Sequence, residues 1–304
     1  MQIKILKFDD HINETGLVIS LGFFDGMHIA HRTLLDKTLE IAKTQNLKSG
    51  IMTFSTHVLS FIKNQPFHHL TNLDEKAKKA QAMGFDYLYI FEVTKDLISL
   101  DYLTFIQRFL SCATIVVVGF DFTFGYRGLG NATTLQNSPN FKTIVLDEMV
   151  YETEKIGSTR IREALSNGDI TLANHLLGYQ FSISGTVISG KGRGKYLGFP
   201  TANIDYDGYF LPKSGVYATI VTVDGVEYES MANIGDNPTF SDKFVTFEVH
   251  IFRFSQSIYG KVVKVEFIEY IREEIKYRST TDLIQQMHLD EKVVNEIFKK
   301  KRSL

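Results

Sequence analysis

Cysteine occurs once, at Cys112, in a chain of 304 residues. A single thiol cannot build an internal disulfide framework, so a reducing compartment, the cytoplasm, is expected. No apolar stretch approaches the length of a bilayer span, and the start, "MQIKILKFDD", lacks the long apolar core of a signal peptide. No membrane partner is expected. Charge of one sign is also scarce: the formal net charge of -2 gives no general pull towards nucleic acid. The terminal "KKKRS" is short and reads as a solvated helix end. Internal repeats and low-complexity segments are absent. The 44% hydrophobic and 22% charged residues are the composition of a globular chain, long enough for two domains.

The two halves follow different rules. "LVISLGFF", "GIMTF", "YLYIF", "TIVVVG" and "KTIVLD" read as buried strands, and helical patterns separate them. In "HRTLLDKTLEIAKTQ", Leu35, Leu39 and Ala42 share one helical face. Asn72 and Glu75 form a capping box for "LDEKAKKAQAM", which Gly84 ends. Such alternation predicts a parallel sheet with helices on both faces, and a ligand beyond the carboxyl ends of its strands. After about Gly178 the period becomes two. "GVYATIVTVDGVEYESMANIG" predicts two strands joined at Asp224-Gly225, and "FVTFEVHIF" and "KVVKVEFIEYI" also alternate. These antiparallel strands, followed by "TDLIQQMHLDEKVVNEIFKK", predict a small barrel closed by a C-terminal helix. The fold class is therefore α/β followed by β, with domains at 1–180 and 181–304.

Several constellations could carry chemistry. "GFFDGMHIAHR" ends a strand and places His28 and His31 at the threshold of a helix, where free backbone N–H groups suit an anion. A metal reading lacks a third His or Cys nearby, so phosphate binding suits the pair better. Asp121 in "GFDFTFG" is either a turn residue or part of that site. "GSTRIREAL" offers Ser158, Thr159, Arg160 and Arg162, which serve equally as a helix cap or as polyphosphate ligands. "GKGRGKYLGFPTANI" packs Gly190, Gly192, Gly194 and Gly198 with Lys191, Arg193 and Lys195 into a few residues. It reads either as a glycine-rich turn or as a flap over phosphates. It is not a Walker loop, since Ser189 and Tyr196 occupy two required positions. Thr201 and Asn203 could offer oxygens to Mg²⁺ or serve as turn residues. In "FVTFEVHIF", Val245, Phe247, Val249 and Ile251 share the core face, so Glu248 lies on the opposite one, where a solvent-facing glutamate is the ordinary outcome.

Together these segments closely resemble the prokaryotic bifunctional riboflavin kinase / FMN adenylyltransferases, or FAD synthetases. "GFFDGMHIAH", "VVGFDFTFG" and "GSTRIREAL" are similar to the adenylyltransferase motifs. "GKGRGKYLGFPTANI", "PKSGVYA", "ANIGDNPTF", "EVHIF", "YGK" and "IREEIKY" are similar to the kinase motifs. The resemblance implies a Rossmann-like nucleotidyltransferase domain followed by a six-stranded riboflavin-kinase barrel. It implies phosphorylation of riboflavin by ATP to FMN, then transfer of AMP from a second ATP to give FAD and pyrophosphate, with Mg²⁺ in both steps. It makes Glu248 the base of the kinase step, with Thr201 and Asn203 on the metal and Gly190, Gly192, Arg193, Gly194, Gly198, Pro200 and Asn233 around the nucleotide. Arg272 would lie near the flavin. His28 and His31 would stabilise charge on ATP, with Gly22, Phe24, Asp25, Asp121, Ser158, Thr159 and Arg162 binding substrate. Riboflavin, FMN and ATP are the implied partners, without nucleic acid or membrane; self-association, if any, is expected to be weak.

The chain departs from the family pattern at three places. Ala30 stands where the family has Gly between the histidines, Gly157 replaces a serine, and Arg253 stands where an aspartate often follows "HIF". Only Ala30 falls inside a catalytic signature. It sets two alternatives beside the bifunctional enzyme: a riboflavin kinase with an impaired or lost adenylyltransferase, and a flavin-binding regulatory protein, which the intact "PTAN" and Glu248 disfavour.

Overall fold

A strand covered on both faces can be apolar throughout, and β2 (Leu17–Leu21) is buried at every position. In a computed structural model, which describes residues 1–190, 193–236 and 245–303, β2 lies inside a parallel sheet. Its companions are β3 (Lys48–Phe54), β4 (Tyr87–Phe91), β5 (Ala113–Gly119) and β8 (Lys142–Leu146), all expected from the sequence. A sixth strand, β1 (Gln2–Leu6), was not expected. It sits at the edge with Ile3 and Ile5 exposed, so its pattern points its isoleucines away from the core. The order is β1-β4-β3-β2-β5-β8. One face packs Leu17, Ile19, Met52, Phe91 and Phe109; the other packs Val18, Ile51, Leu88 and Val117 against Leu34 and Leu35 of the first helix, Ile29–Thr44. The chain runs from β2 towards β3 and β4 on one side, and β5 and β8 lie on the other. The order therefore reverses between β2 and β5, where ligands of open α/β sheets bind. Two short hairpins join β6 (Thr123–Phe124) to β7 (Gly130–Asn131) and β9 (Val150–Tyr151) to β10 (Glu154–Lys155).

The chain divides into two compact units, Met1–Ser158 and Thr159–Leu304. In the second, six antiparallel strands close a barrel in the order β11-β12-β15-β14-β13-β16. They are β11 (Ser182–Ile188), β12 (Ala202–Asp205), β13 (Gly215–Val223), β14 (Val226–Asp236), β15 (Val245–Ile251) and β16 (Val262–Arg272). The expected hairpin is present: Asp224 and Gly225, at φ 50° and 83°, supply the two left-handed residues of a tight turn between β13 and β14. Phe181, Tyr217, Phe247 and Phe267 fill the inside as contacting rings. Outside, the helix Thr280–Arg302 lays Met287, Val294 and Phe298 over Ala218, Met231 and Ile268. Two further helices, Ser158–Asn167 and Ile170–Leu177, precede β11. The second is tied to the barrel by Asn174, whose Nδ2 donates to the Phe267 carbonyl at 3.0 Å and whose Oδ1 accepts the Phe181 N–H at 2.6 Å.

Candidate functional site

In the first unit the site grows from the turn after β2. Phe24, Gly26 and Met27 have φ of 53°, 79° and 38°, so the chain turns sharply before entering the first helix. Asp25 is buried, and its Oδ1 accepts the N–H groups of Leu70 and Thr71 at 3.0 and 3.3 Å. The Asp25 carbonyl accepts the Ser158 hydroxyl at 2.9 Å. A β-carbon on Gly22 would press on the Phe24 ring, at 2.8 Å from its tip. His28 is the N-cap of the helix: its Nδ1 accepts the His31 N–H at 3.3 Å. That bond fixes the His28 tautomer, leaving the proton on Nε2, which can donate to an anion. The two imidazoles stack with centroids 3.6 Å apart, and His31 meets the Phe24 ring edge-on.

Both imidazoles are held neutral. Burial pushes His28 down to about 4; Asp25 and Asp121 oppose the shift and Lys155 adds to it. His31 lies well below the usual histidine range, first through burial and then through its neighbours His28, Lys76 and Lys155, which disfavour a further positive charge there. Its Nδ1 is buried and finds no hydrogen-bond partner among the described residues. Asp121 is exposed after β5 and ion-paired with Lys155. Ala30 occupies the second position of the helix, between the histidines. Gly22, Phe24, Asp25, His28, His31 and Ser158 are thus brought together. Thr159 and Arg162 fall in the second unit, where Arg162 lies over the Phe210 ring at 5.6 Å.

In the second unit three strands align the polar residues. Glu248 on β15 faces Asn203 on β12 and Asn233 on β14 in register. The Thr201 hydroxyl donates to Glu248 Oε2 at 3.0 Å. His250, two residues on, donates from Nδ1 to the Pro200 carbonyl at 2.8 Å, which anchors the segment leading into β12. A cavity of about 280 Å³ is lined by Thr201, Asn233, Glu248, Arg272, Tyr277 and Asp290, among others. Parity had put Glu248 opposite Phe247 and Val249, and it is there. That face is roofed by the C-terminal helix, whose Leu283, Met287 and Asp290 line the same cavity, so Glu248 is half-buried and not a solvent-facing residue.

The glycine-rich segment is only partly a loop. Gly192 and Lys191 lie outside the described residues, as do 237–244, which include the "NPTF" run. Arg193 begins a helical turn, Arg193–Tyr196. A β-carbon on Gly190 would collide with the Asn203 amide, and one on Gly194 with the Phe199 carbonyl, so close packing requires glycine at both. Gly194 lines the cavity and Gly198 adopts φ 87°.

Arg272 ends β16. Its Nε and Nη2 form a fork on the Asp290 carboxylate at 2.9 and 2.6 Å, and Gln286 Nε2 donates to the same carboxylate at 2.9 Å. Burial opposes the guanidinium charge, but the bond to Asp290 and its negative charge outweigh this and raise its pKa. Sequence reasoning missed Asp290 and Tyr277. Asp290 could have been found as the acid interrupting the stripe Ile284, Met287, Val294, Phe298. The Tyr277 hydroxyl, buried in the cavity wall with no hydrogen-bond partner among the described residues, had no sequence signal.

Comparison with known proteins gives a consistent result. The family model for FAD synthetase matches residues 10–160 and that for riboflavin kinase matches 177–298. The chain is 36% identical to the bifunctional riboflavin kinase/FMN adenylyltransferase of Listeria monocytogenes, covering 96% of this chain and 95% of that protein. It is 35% identical to the protein of the same name from Bacillus subtilis, covering 92% of each. A solved structure described as a macrolide-efflux protein from Streptococcus pneumoniae superposes with a TM-score of 0.86 at 32% identity, over 96% of this chain and 98% of that one. Among the described residues no helix is long and apolar enough to cross a membrane.

Proposed function

Since this chain belongs to the bifunctional riboflavin kinase/FMN adenylyltransferase family, we propose that its two activities divide between residues 1–180, which adenylylate FMN, and 181–304, which phosphorylate riboflavin. The enzyme makes FMN from riboflavin and ATP, and FAD from FMN and ATP. The observation that carries the kinase assignment is Glu248, framed by Asn203 and Asn233 and bonded to Thr201 in the wall of a cavity. With one carboxylate oxygen held by Thr201, Glu248 presents the other to the ribityl 5′-hydroxyl. It takes that proton as the oxygen attacks the γ-phosphorus of ATP and ADP leaves. Arg272, fixed by Asp290, and Tyr277 hold the flavin. Gly190, Gly194, Gly198 and Pro200 wrap the nucleotide.

Magnesium fits the donors at this site. Thr201 and Asn203 offer hard oxygens beside the Glu248 carboxylate, and Mg²⁺ takes few protein ligands, completing its shell with water and phosphate. When bound, the ion neutralises charge on the phosphoryl oxygens.

In the first unit, neutral His28 donates from Nε2 and His31 lies stacked beside it at the start of a helix. This arrangement suits the α-phosphate of ATP as an FMN phosphate oxygen attacks it and pyrophosphate leaves. Negative charge on the nucleotide favours protonation of the pair and strengthens the contact. Gly22, Phe24, Asp25, Asp121 and Ser158 complete the nucleotide site. Ala30, one methyl larger than glycine in the first turn, supports a second reading in which adenylyl transfer is slower than the kinase step. The buried lone Cys112 accords with a cytoplasmic location. The deciding experiment incubates the protein with riboflavin, ATP and Mg²⁺ and separates riboflavin, FMN and FAD by chromatography. Formation of both products supports the reading, and failure to convert riboflavin overturns it.

A further inference from the structure

A lysine is out of place on the buried stripe of an amphipathic helix. On the helix Leu73–Met83, Lys76 shares that stripe with Ala80 and is only 3% exposed. A buried ammonium is unfavourable unless it is bonded. Lys76 Nζ donates to the Phe23 carbonyl at 2.7 Å and lies 4.1 Å from the centroid of the Phe23 ring. The same carbonyl accepts the Thr53 hydroxyl at 3.0 Å. The next residue is left-handed Phe24, and the one after it is Asp25, whose carboxylate binds the N–H groups of Leu70 and Thr71 just ahead of this helix. The helix and its lead-in therefore grip the turn on both sides of its strained residue. Strained backbone persists only where its surroundings over-determine it. The gripped turn delivers His28 to the N-cap and sets the Phe24 ring against His31.

A glutamine here could bond the carbonyl and a methionine could fill the space, but only a cation adds fixed charge. Among the described residues, charged groups that act on the imidazole pair include Asp25 from the turn, Asp121 from the end of β5, Lys155 from β10 and Lys76. We propose that Lys76 is a positioning residue for adenylyl transfer: it pins the Phe23 carbonyl and gives the histidine pair a fixed positive neighbour that favours the polyphosphate. The proposal rests on assigning His28 and His31 to that step.

The test compares Lys76→Gln, Lys76→Met and Lys76→Arg with His28→Ala in the full chain, with thermal melts to establish folding. FAD formation from FMN, FMN formation from riboflavin and histidine titration by NMR are measured. Lys76→Met is expected to lower kcat for FAD formation by about 10- to 100-fold, the range that misplacement of a reacting group produces, with FMN formation unchanged. Lys76→Gln, which keeps a donor and loses the charge, should fall between and should move the His31 titration towards the ordinary histidine range. Lys76→Arg should restore both readouts. If Lys76→Met does not fold, Lys76→Gln still decides. Normal FAD formation and unmoved titration in Lys76→Gln, with His28→Ala inactive, overturn the proposal alone. Normal FAD formation in His28→Ala overturns the assignment of the pair and the proposal with it.

Discussion

Asp290→Asn is the sharpest probe of the barrel site, because it changes one oxygen for one nitrogen in a buried fork. The Asp290 side chain is 4% exposed and that of Arg272 19%, so the charge left on Arg272 would have little water to compensate it. Removing one partner of a buried pair costs about 3–5 kcal/mol. Asparagine keeps one acceptor oxygen, so about 3 kcal/mol is expected, at the low end of that range. With a urea dependence of about 1–3 kcal/mol per molar, the barrel transition should shift by about 1–3 M. The guanidinium should also swing from its place in the cavity wall, raising KM for riboflavin while FAD formation from supplied FMN is retained. Replacing both partners by methionine should recover most of the stability, since apolar substitutes for a buried pair are often neutral. It should not recover riboflavin phosphorylation. An Asp290→Asn protein with an unchanged urea midpoint and unchanged KM, or a double methionine variant that phosphorylates riboflavin normally, would refute the argument.

Four further outcomes are expected. Glu248→Gln should lose about 10²–10⁴-fold in FMN formation while still binding riboflavin by fluorescence titration, because an amide cannot take the hydroxyl proton. Ala30→Gly should raise FAD synthesis and leave the kinase step alone, at a cost of about 1 kcal/mol in helix stability; an unchanged rate makes Ala30 neutral. A fragment of residues 159–304 should fold and phosphorylate riboflavin, whereas one of 181–304 loses Asn174 and its bonds to Phe181 and Phe267 and should melt earlier; equal melting would deny those bonds a role. His28 titrates at about 4 when folded and near 6.5 unfolded, so the unfolded chain binds the proton first as pH falls. Its contribution to stability is full above pH 6.5 and is lost down to pH 4, about 3 kcal/mol in all, read as a urea-midpoint difference from His28→Asn across that window.

Much of this protein was legible before folding because local rules decide it. Buried parallel strands announce themselves as apolar runs, the Asp224-Gly225 pair as a tight turn, and Gly84 as a helix stop at φ 93°. Strand parity alone placed Glu248 on the face opposite Phe247 and Val249. It could not decide what covers that face, since the cover is a helix some forty residues further along the chain, and packing between distant segments leaves no local trace. The same limit hid β1, whose edge position exposes Ile3 and Ile5. It hid the partners of Lys76 and Asp290, charges that interrupt apolar stripes, because Phe23 and Arg272 come from other elements. The sequence determined which residue types are available for phosphate and flavin chemistry. Tertiary structure decided which of them share a cavity, which imidazole nitrogen carries the proton, and which buried charges have a partner, because burial and hydrogen bonding between distant segments exist only in the folded chain.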